Sequence, residues 1–149
     1  MPNIPTERRF IIQQKLMQSL KDFDYRFKRY KISYSITIWH SPENIDLALF
    51  SNHIRATDRF ITFDRNTCAI IFDCTNDESG IKAANNLLTH YHSTFYAMPL
   101  FASIVTVSNY DSTLNMTQNL FELLTHAVKH NMNSIILEHS QVIQHNQQV

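Results

Sequence analysis

Several groups of side chains in this sequence have the types and spacing that chemistry needs. Arg55 and Asp58 stand three residues apart near the end of a predicted helix, where a guanidinium and a carboxylate can pair with each other or face one ligand together. Glu122, His126 and His130 fall at i, i+4 and i+8, one face of another predicted helix and a spacing that zinc sites use. Leu120, Leu124 and Val128 take the opposite face, so the row reads as a solvated polar stripe rather than a metal centre. Trp39 and His40 end one predicted strand while Asp73 and Cys74 end another, and the four could line a pocket; Trp39 alone reads as core. Cys68 and Cys74 have no second cysteine or histidine at zinc-ligand spacing and read as reduced, buried thiols.

The elements that must position these groups can be read from periodicity. Thr6 to Tyr30 carries Phe10, Leu16, Leu20, Phe23 and Phe27 with charges between them, which predicts one amphipathic helix. "KISYSITIW" predicts a first strand, and "IDLALFSNHIRAT" a second helix with Ile45, Leu49 and Ile54 on one face and Ser41 or Asn44 as its cap. "RFITFDRNTCAIIFD" predicts a hairpin that turns at Asp64, Arg65 and Asn66. A helix from "NDESGIKAANNLLTHYHSTF" then places Gly80, the only glycine, in its first turn. The strand "PLFASIVTVSN", the helix "STLNMTQNLFELLTHAVKHN" and the short strand "NSIILEH" follow. The expected class is α+β, a ferredoxin-like βαββαβ core plus an extra helix and strand, with helices covering one face of an antiparallel sheet. The expected division is an N-terminal helix over residues 1–31, a domain over 32–139 and a polar tail over 140–149.

With the elements in place, residues 54–72 resemble the GGDEF family of diguanylate cyclases, whose run is RxxD, five residues, GGDEF and an apolar strand. Arg55, Ala56, Thr57 and Asp58 hold the RxxD position. Asp64, Arg65, Asn66, Thr67 and Cys68 hold the GGDEF position, and "AIIF" continues as the family's strand does. "IPTERRF" is similar to the family's opening LPNRR segment and "FASIVTVSN" to its later strand. "THAVKHNMNSIIL" is similar to its closing helix and strand, with Asn131 where the family has a helix-ending glycine.

The resemblance implies a fold kinship and, equally, a loss of chemistry. Joining two GTP molecules needs metal ions held by carboxylates on the first strand and in the GGDEF turn. Here the strand ends in Trp39, His40 and Ser41, and Asp64 and Arg65 replace two glycines that let the backbone approach nucleotide. Only about seventeen residues separate His40 from Asp58, too few for the family's phosphate loop and two helical segments. The resemblance therefore implies a degenerate, catalytically inactive domain with no cofactor, serving as a signalling or protein-interaction module. Its alternative is a cyclic di-GMP receptor in which Arg55 and Asp58 form the retained inhibitory-type site, with Lys82 the nearest candidate for a second cation.

Composition narrows the partners. The chain has 149 residues, 44% of them hydrophobic, enough for one domain with a core. It carries no long uncharged apolar run and no apolar signal core, so neither a membrane span nor export is expected and a cytoplasmic protein is. The formal charge is zero, but residues 1–31 hold eight Lys/Arg against three acids. That basic segment implies a helix docked on its own acidic body, a protein partner or a homodimer. An RNA-binding reading of βαββαβ needs basic and aromatic residues on the middle strand, and "TCAIIFDC" lacks them, so no nucleic-acid partner is expected.

Overall fold

The N-terminal amphipathic segment folds as two helices instead of one, α1 (Thr6–Ser19) and α2 (Lys21–Tyr30), which meet at Leu20. The computed structural model describes residues 6–138, so the polar tail lies outside the described residues. The buried stripe is Ile12, Leu16, Leu20 and Phe23. Phe10, expected inward, is 63% exposed, because it precedes Leu16 by six residues and falls off a stripe that repeats every 3.6. Lys31, at φ 59°, ends α2 in the left-handed region, and the N–H groups of Lys31 and Ile32 satisfy carbonyls of Phe27 and Arg26.

Five strands form one sheet in the order β2-β3-β1-β4-β5: β1 (Tyr34–His40), β2 (Arg59–Asp64), β3 (Thr67–Asp73), β4 (Phe101–Thr106) and β5 (Ile136–Leu137). All pairings are antiparallel except β4 with β5. With α3 (Asp77–Thr94) and α4 (Thr113–Lys129), this is the expected α+β architecture with its hairpin at Asp64, Arg65 and Asn66.

Helices cover both faces of the sheet, not one. Ile36, Ile38, Ala69, Ile71 and Val105 share a core with α1, α2 and α4. Trp39, Cys68, Ile70, Phe72 and Ile104 share a second core with Ala84, Leu87 and Tyr91 of α3. Every residue of β1, β3 and β4 is consequently buried, which explains the near-continuous apolar runs that a one-sided sheet does not require. Within residues 6–31, Ile12, Leu16, Leu20 and Phe23 are four buried side chains supplied to the first core. Each such side chain contributes about 1.5–3 kcal/mol over the exposed state.

The expected second helix is only a 3-10 helix, Leu47–Asn52. Its inward residues, Leu47 and Phe50, are three apart, the spacing that a three-residue turn puts on one line. Its cap is Asp46, whose carboxylate accepts the Ala48 N–H at 3.0 Å, in place of Ser41 or Asn44. At α3 the cap is Asn76, closed reciprocally with Ser79. The single glycine follows from packing: a Cβ on Gly80 would stand 2.6 Å from Ser35 Oγ, so α3 reaches β1 only through a residue without a side chain. Asn131 adopts φ 51° just past α4, and the Met132 N–H closes onto the Ala127 carbonyl at 2.8 Å, the helix end foreseen for an asparagine in a glycine's place.

Candidate functional site

Register puts the sequence-predicted groups at two opposite ends of the sheet. His40 pairs with Thr67 while Tyr34 pairs with Asp73, so a full strand of about 20 Å lies between them. Trp39 and His40 therefore share no pocket with Asp73 and Cys74. Trp39 is fully buried, packs on Phe50 at 4.9 Å between ring centroids, and donates its indole N–H to Thr37 Oγ1 at 2.7 Å.

The first end is the hairpin turn. The Ser41 N–H donates to the Asn66 carbonyl at 2.9 Å, Asn66 Nδ2 donates back to the Ser41 carbonyl at 2.8 Å, and the Leu47 N–H donates to the Arg65 carbonyl at 2.7 Å. The turn is thus stitched to the end of β1 and to the chain that follows it. Arg8 of α1 forms an ion pair with Asp64. His40 is buried, with Nδ1 2.8 Å from Thr67 Oγ1; burial pushes its imidazole below the ordinary value, Asp64 opposes this, and Arg8 adds to it. Cys68 is fully buried opposite Trp39, and burial raises its thiol far above the ordinary range, with Asp64 contributing. Cys74, expected buried, is exposed at φ 51°, where the chain leaves β3 for α3.

The opposite end is built around Arg55 and Asp58. Asp58 accepts the Arg55 backbone N–H at 2.9 Å, Arg55 Nε at 3.2 Å, an Arg55 terminal nitrogen at 3.0 Å and the Asp73 backbone N–H at 2.9 Å. Its side chain is 2% exposed and the Arg55 side chain 54%. The hydrogen bond to Asp58 raises Arg55 above its ordinary value, burial opposes it, and the charges of Asp58 and Asp73 add smaller contributions to the rise. Arg55 also donates to the Asp73 carbonyl, and Arg26 of α2 donates to the Asp73 carboxylate at 3.2 Å. Asp73 therefore accepts from two guanidinium groups, Arg55 at its carbonyl and Arg26 at its carboxylate. Arg26 was missed by sequence reasoning, which looked forward along the chain to Lys82; only docking of α2 brings it here.

The basic segment is engaged with its own domain. Arg26 and Arg59 lie over the Phe23 ring at 4.8 and 5.0 Å, Arg59 faces Asp22 at 3.6 Å, and Lys15 Nζ donates to the Thr62 carbonyl at 2.8 Å. His126 and His130 of the polar stripe pack ring against ring at 4.2 Å, and among the described residues no three His, Cys, Asp or Glu side chains are grouped for a metal.

A cleft of about 620 Å³, not foreseen from sequence, opens between the N-terminal ends of α3 and α4. Ile81, Ile104 and Val105 give it apolar surface; Asp77, Asn119 and Glu138 are among its polar groups. Tyr110 also lines it, and burial, then Asp77 and Glu122, push the phenol up to about 12.

No protein-family model matches the sequence, and no curated protein does. Solved structures match it by shape. A microbial GGDEF domain studied for its interaction with cyclic di-GMP aligns with a TM-score of 0.68 and 10% identity, over 84% of this chain and 91% of that one. A DGC protein from Thermotoga maritima aligns at 0.65 and 11%, over 75% and 93%. The diguanylate cyclase SiaD from Pseudomonas aeruginosa, in complex with its activator SiaC, aligns at 0.61 and 9%, over 84% of this chain and 57% of that one. The chain thus has the fold of the GGDEF domains, with its hairpin turn and its Arg55–Asp58 pair at opposite ends of the sheet.

Proposed function

We propose that this chain is a GGDEF-fold domain without cyclase chemistry that works by binding a protein. The observation that carries the reading is the hairpin turn. Asp64 is paired with Arg8, the Asn66 amide and the Arg65 carbonyl are tied to Ser41 and Leu47, and Cys68 is fully buried. Metal-assisted phosphoryl chemistry needs carboxylates free to hold cations and backbone open to phosphate. His40 and Ser41 end β1 where the family places acids, and the turn's own acid faces an arginine. The likeness to SiaD, solved with a protein activator, supports a protein as the partner class.

A second reading is favoured by one arrangement. Arg55 and Arg26 both donate to Asp73, and two guanidinium groups gathered at one residue suit a dianionic ligand such as cyclic di-GMP. The fold likeness to a GGDEF domain studied with that ligand supports it. Asp58 weakens it, because its carboxylate already accepts four hydrogen bonds within the chain and would have to give some up to read a guanine.

Purified protein incubated with GTP and Mg²⁺ or Mn²⁺ tests the first reading: no cyclic di-GMP is expected, and metal-dependent product would overturn it. Calorimetry with cyclic di-GMP on the native chain and on Arg55→Ala and Arg26→Ala tests the second. Binding lost in both variants would establish a receptor.

A further inference from the structure

We propose that the C-terminal end of α2 docks an acidic segment of a partner protein through Tyr25, Lys28, Arg29, Tyr30 and Lys31. The inference rests on the reading of the chain as a protein-binding module and names the surface and the chemistry of the partner. Most of the basic N-terminal segment is engaged within the chain: Arg8 reaches Asp64, Arg9 the Gln118 carbonyl, Lys15 the Thr62 carbonyl and Arg26 Asp73. Arg29 and Lys31 reach no acid among the described residues. Arg29 lies over the Tyr30 ring at 5.6 Å and donates to its hydroxyl at 3.2 Å, and Lys31 lies over the Phe27 ring at 5.9 Å.

Cations in a last turn commonly serve the helix end itself. Here the backbone already does so, because the N–H groups of Lys31 and Ile32 donate to the Phe27 and Arg26 carbonyls. The Arg29 and Lys31 side chains are exposed. Lys28 is paired with Asp24 at 2.9 Å, but the lysine is 75% exposed and the aspartate 17%. A pair built that way shows its cation to water and keeps its acid inside. The exposed acid of α2, Asp22, stands in the first turn, roughly 10 Å along the axis from Arg29, and faces Arg59 at 3.6 Å.

Tyr25 and Tyr30 complete the surface. Each is 59% exposed and their rings meet edge to face at 6.5 Å, so they form one aromatic patch among the cations. Tyrosine and arginine are the residue types that anchor protein interfaces. Charge decides the occupant. Lys28, Arg29 and Lys31 call for carboxylates, and residues 1–5 and 139–149, outside the described ones, include no Asp or Glu. A convex helix offers no groove to track a nucleic-acid backbone, and Arg29 lies on the Tyr30 ring where a base would stack. Phe23 of α2 is buried in the core, so the helix does not turn its apolar face to a membrane.

The test is a residue-by-residue titration of the ¹⁵N-labelled full chain with the peptide acetyl-DEEDEED-amide, alongside its neutral counterpart acetyl-NQQNQQN-amide, an oligothymidylate and vesicles containing phosphatidylserine. The acidic peptide is expected to shift the amides from Lys28 to Lys31 and that of Tyr25, and the neutral peptide is not. Arg29→Gln with Lys31→Asn, which suits the left-handed position, is expected to weaken binding about tenfold, the loss of two exposed ion pairs. Tyr25→Ala is expected to weaken it as well, and Lys129→Gln, at the far end of α4, to leave it unchanged. Shifts centred elsewhere, an equal loss in Lys129→Gln, or tighter binding of the oligonucleotide or the vesicles would each overturn the proposal. So would a dimer in sedimentation that the double variant dissociates, because a second copy would then be the occupant. A silent titration with an inactive protein would remove this surface and leave the non-enzymatic reading standing. Turnover of GTP would remove that reading whatever the peptides do.

Discussion

The Asp58 carboxylate accepts the backbone N–H of Asp73 at 2.9 Å, across fifteen residues of sequence, and so fastens the loop before β2 to the end of β3. The same carboxylate holds Arg55 through its guanidinium and its own backbone. An arginine and aspartate whose spacing suits either an ion pair or a shared ligand form, within the chain, the ion pair, and it braces the loop.

Asp58→Ala should therefore lower stability by about 2–3 kcal/mol, because it removes an acceptor of charge-assisted hydrogen bonds and leaves the Asp73 N–H without its partner. Arg55→Ala should cost about 1 kcal/mol or less, since the arginine is half exposed and Asp58 keeps its two backbone donors. Urea unfolding of the two variants measures the difference; equal losses would contradict the brace.

Gly80→Ala should destabilise by about 1–3 kcal/mol, the usual range for overpacking a close contact. Adding Ser35→Ala should recover only part of this, because Ser35 Cβ also lies 2.9 Å from the new atom. Thermal unfolding of the single and double variants tests it.

Stability should fall as pH drops through about 6.5, the ordinary histidine value. Burial lowers the folded-state value of His40, so in that window the unfolded chain holds more protons than the folded one. The contribution is complete above the window and is lost as pH falls through the folded-state value. His40→Asn should flatten this slope in denaturant titrations run from pH 7.5 to pH 5.

Iodoacetamide should modify the native protein once, at Cys74, and twice after denaturation. Cys68 is fully buried with its thiol raised well above the ordinary range, whereas Cys74 is exposed. Intact-mass measurement followed by peptide mapping gives the answer, and native modification of Cys68 would mean that the hairpin opens.

What the sequence determined by itself was local. Alternation and period fixed the hairpin around Asp64, Arg65 and Asn66, the helices that became α3 and α4, and Asn131 as a left-handed helix end, because each depends on neighbours within a turn or two. The run of types from Arg55 to Phe72 was enough to suggest the GGDEF fold that the solved structures share. Tertiary structure decided the rest. Which face of the N-terminal segment is buried depended on where α1 meets the sheet, so Ile12 went in and Phe10 stayed out. Strand register sent Trp39 and Asp73 to opposite ends, which no reading of either strand alone can reveal. Arg26 reached Asp73 from forty-seven residues away, and the cleft arose where the N-terminal ends of α3 and α4 meet β4. Contacts of that kind are set by the packing of whole elements, and sequence spacing carries no record of them.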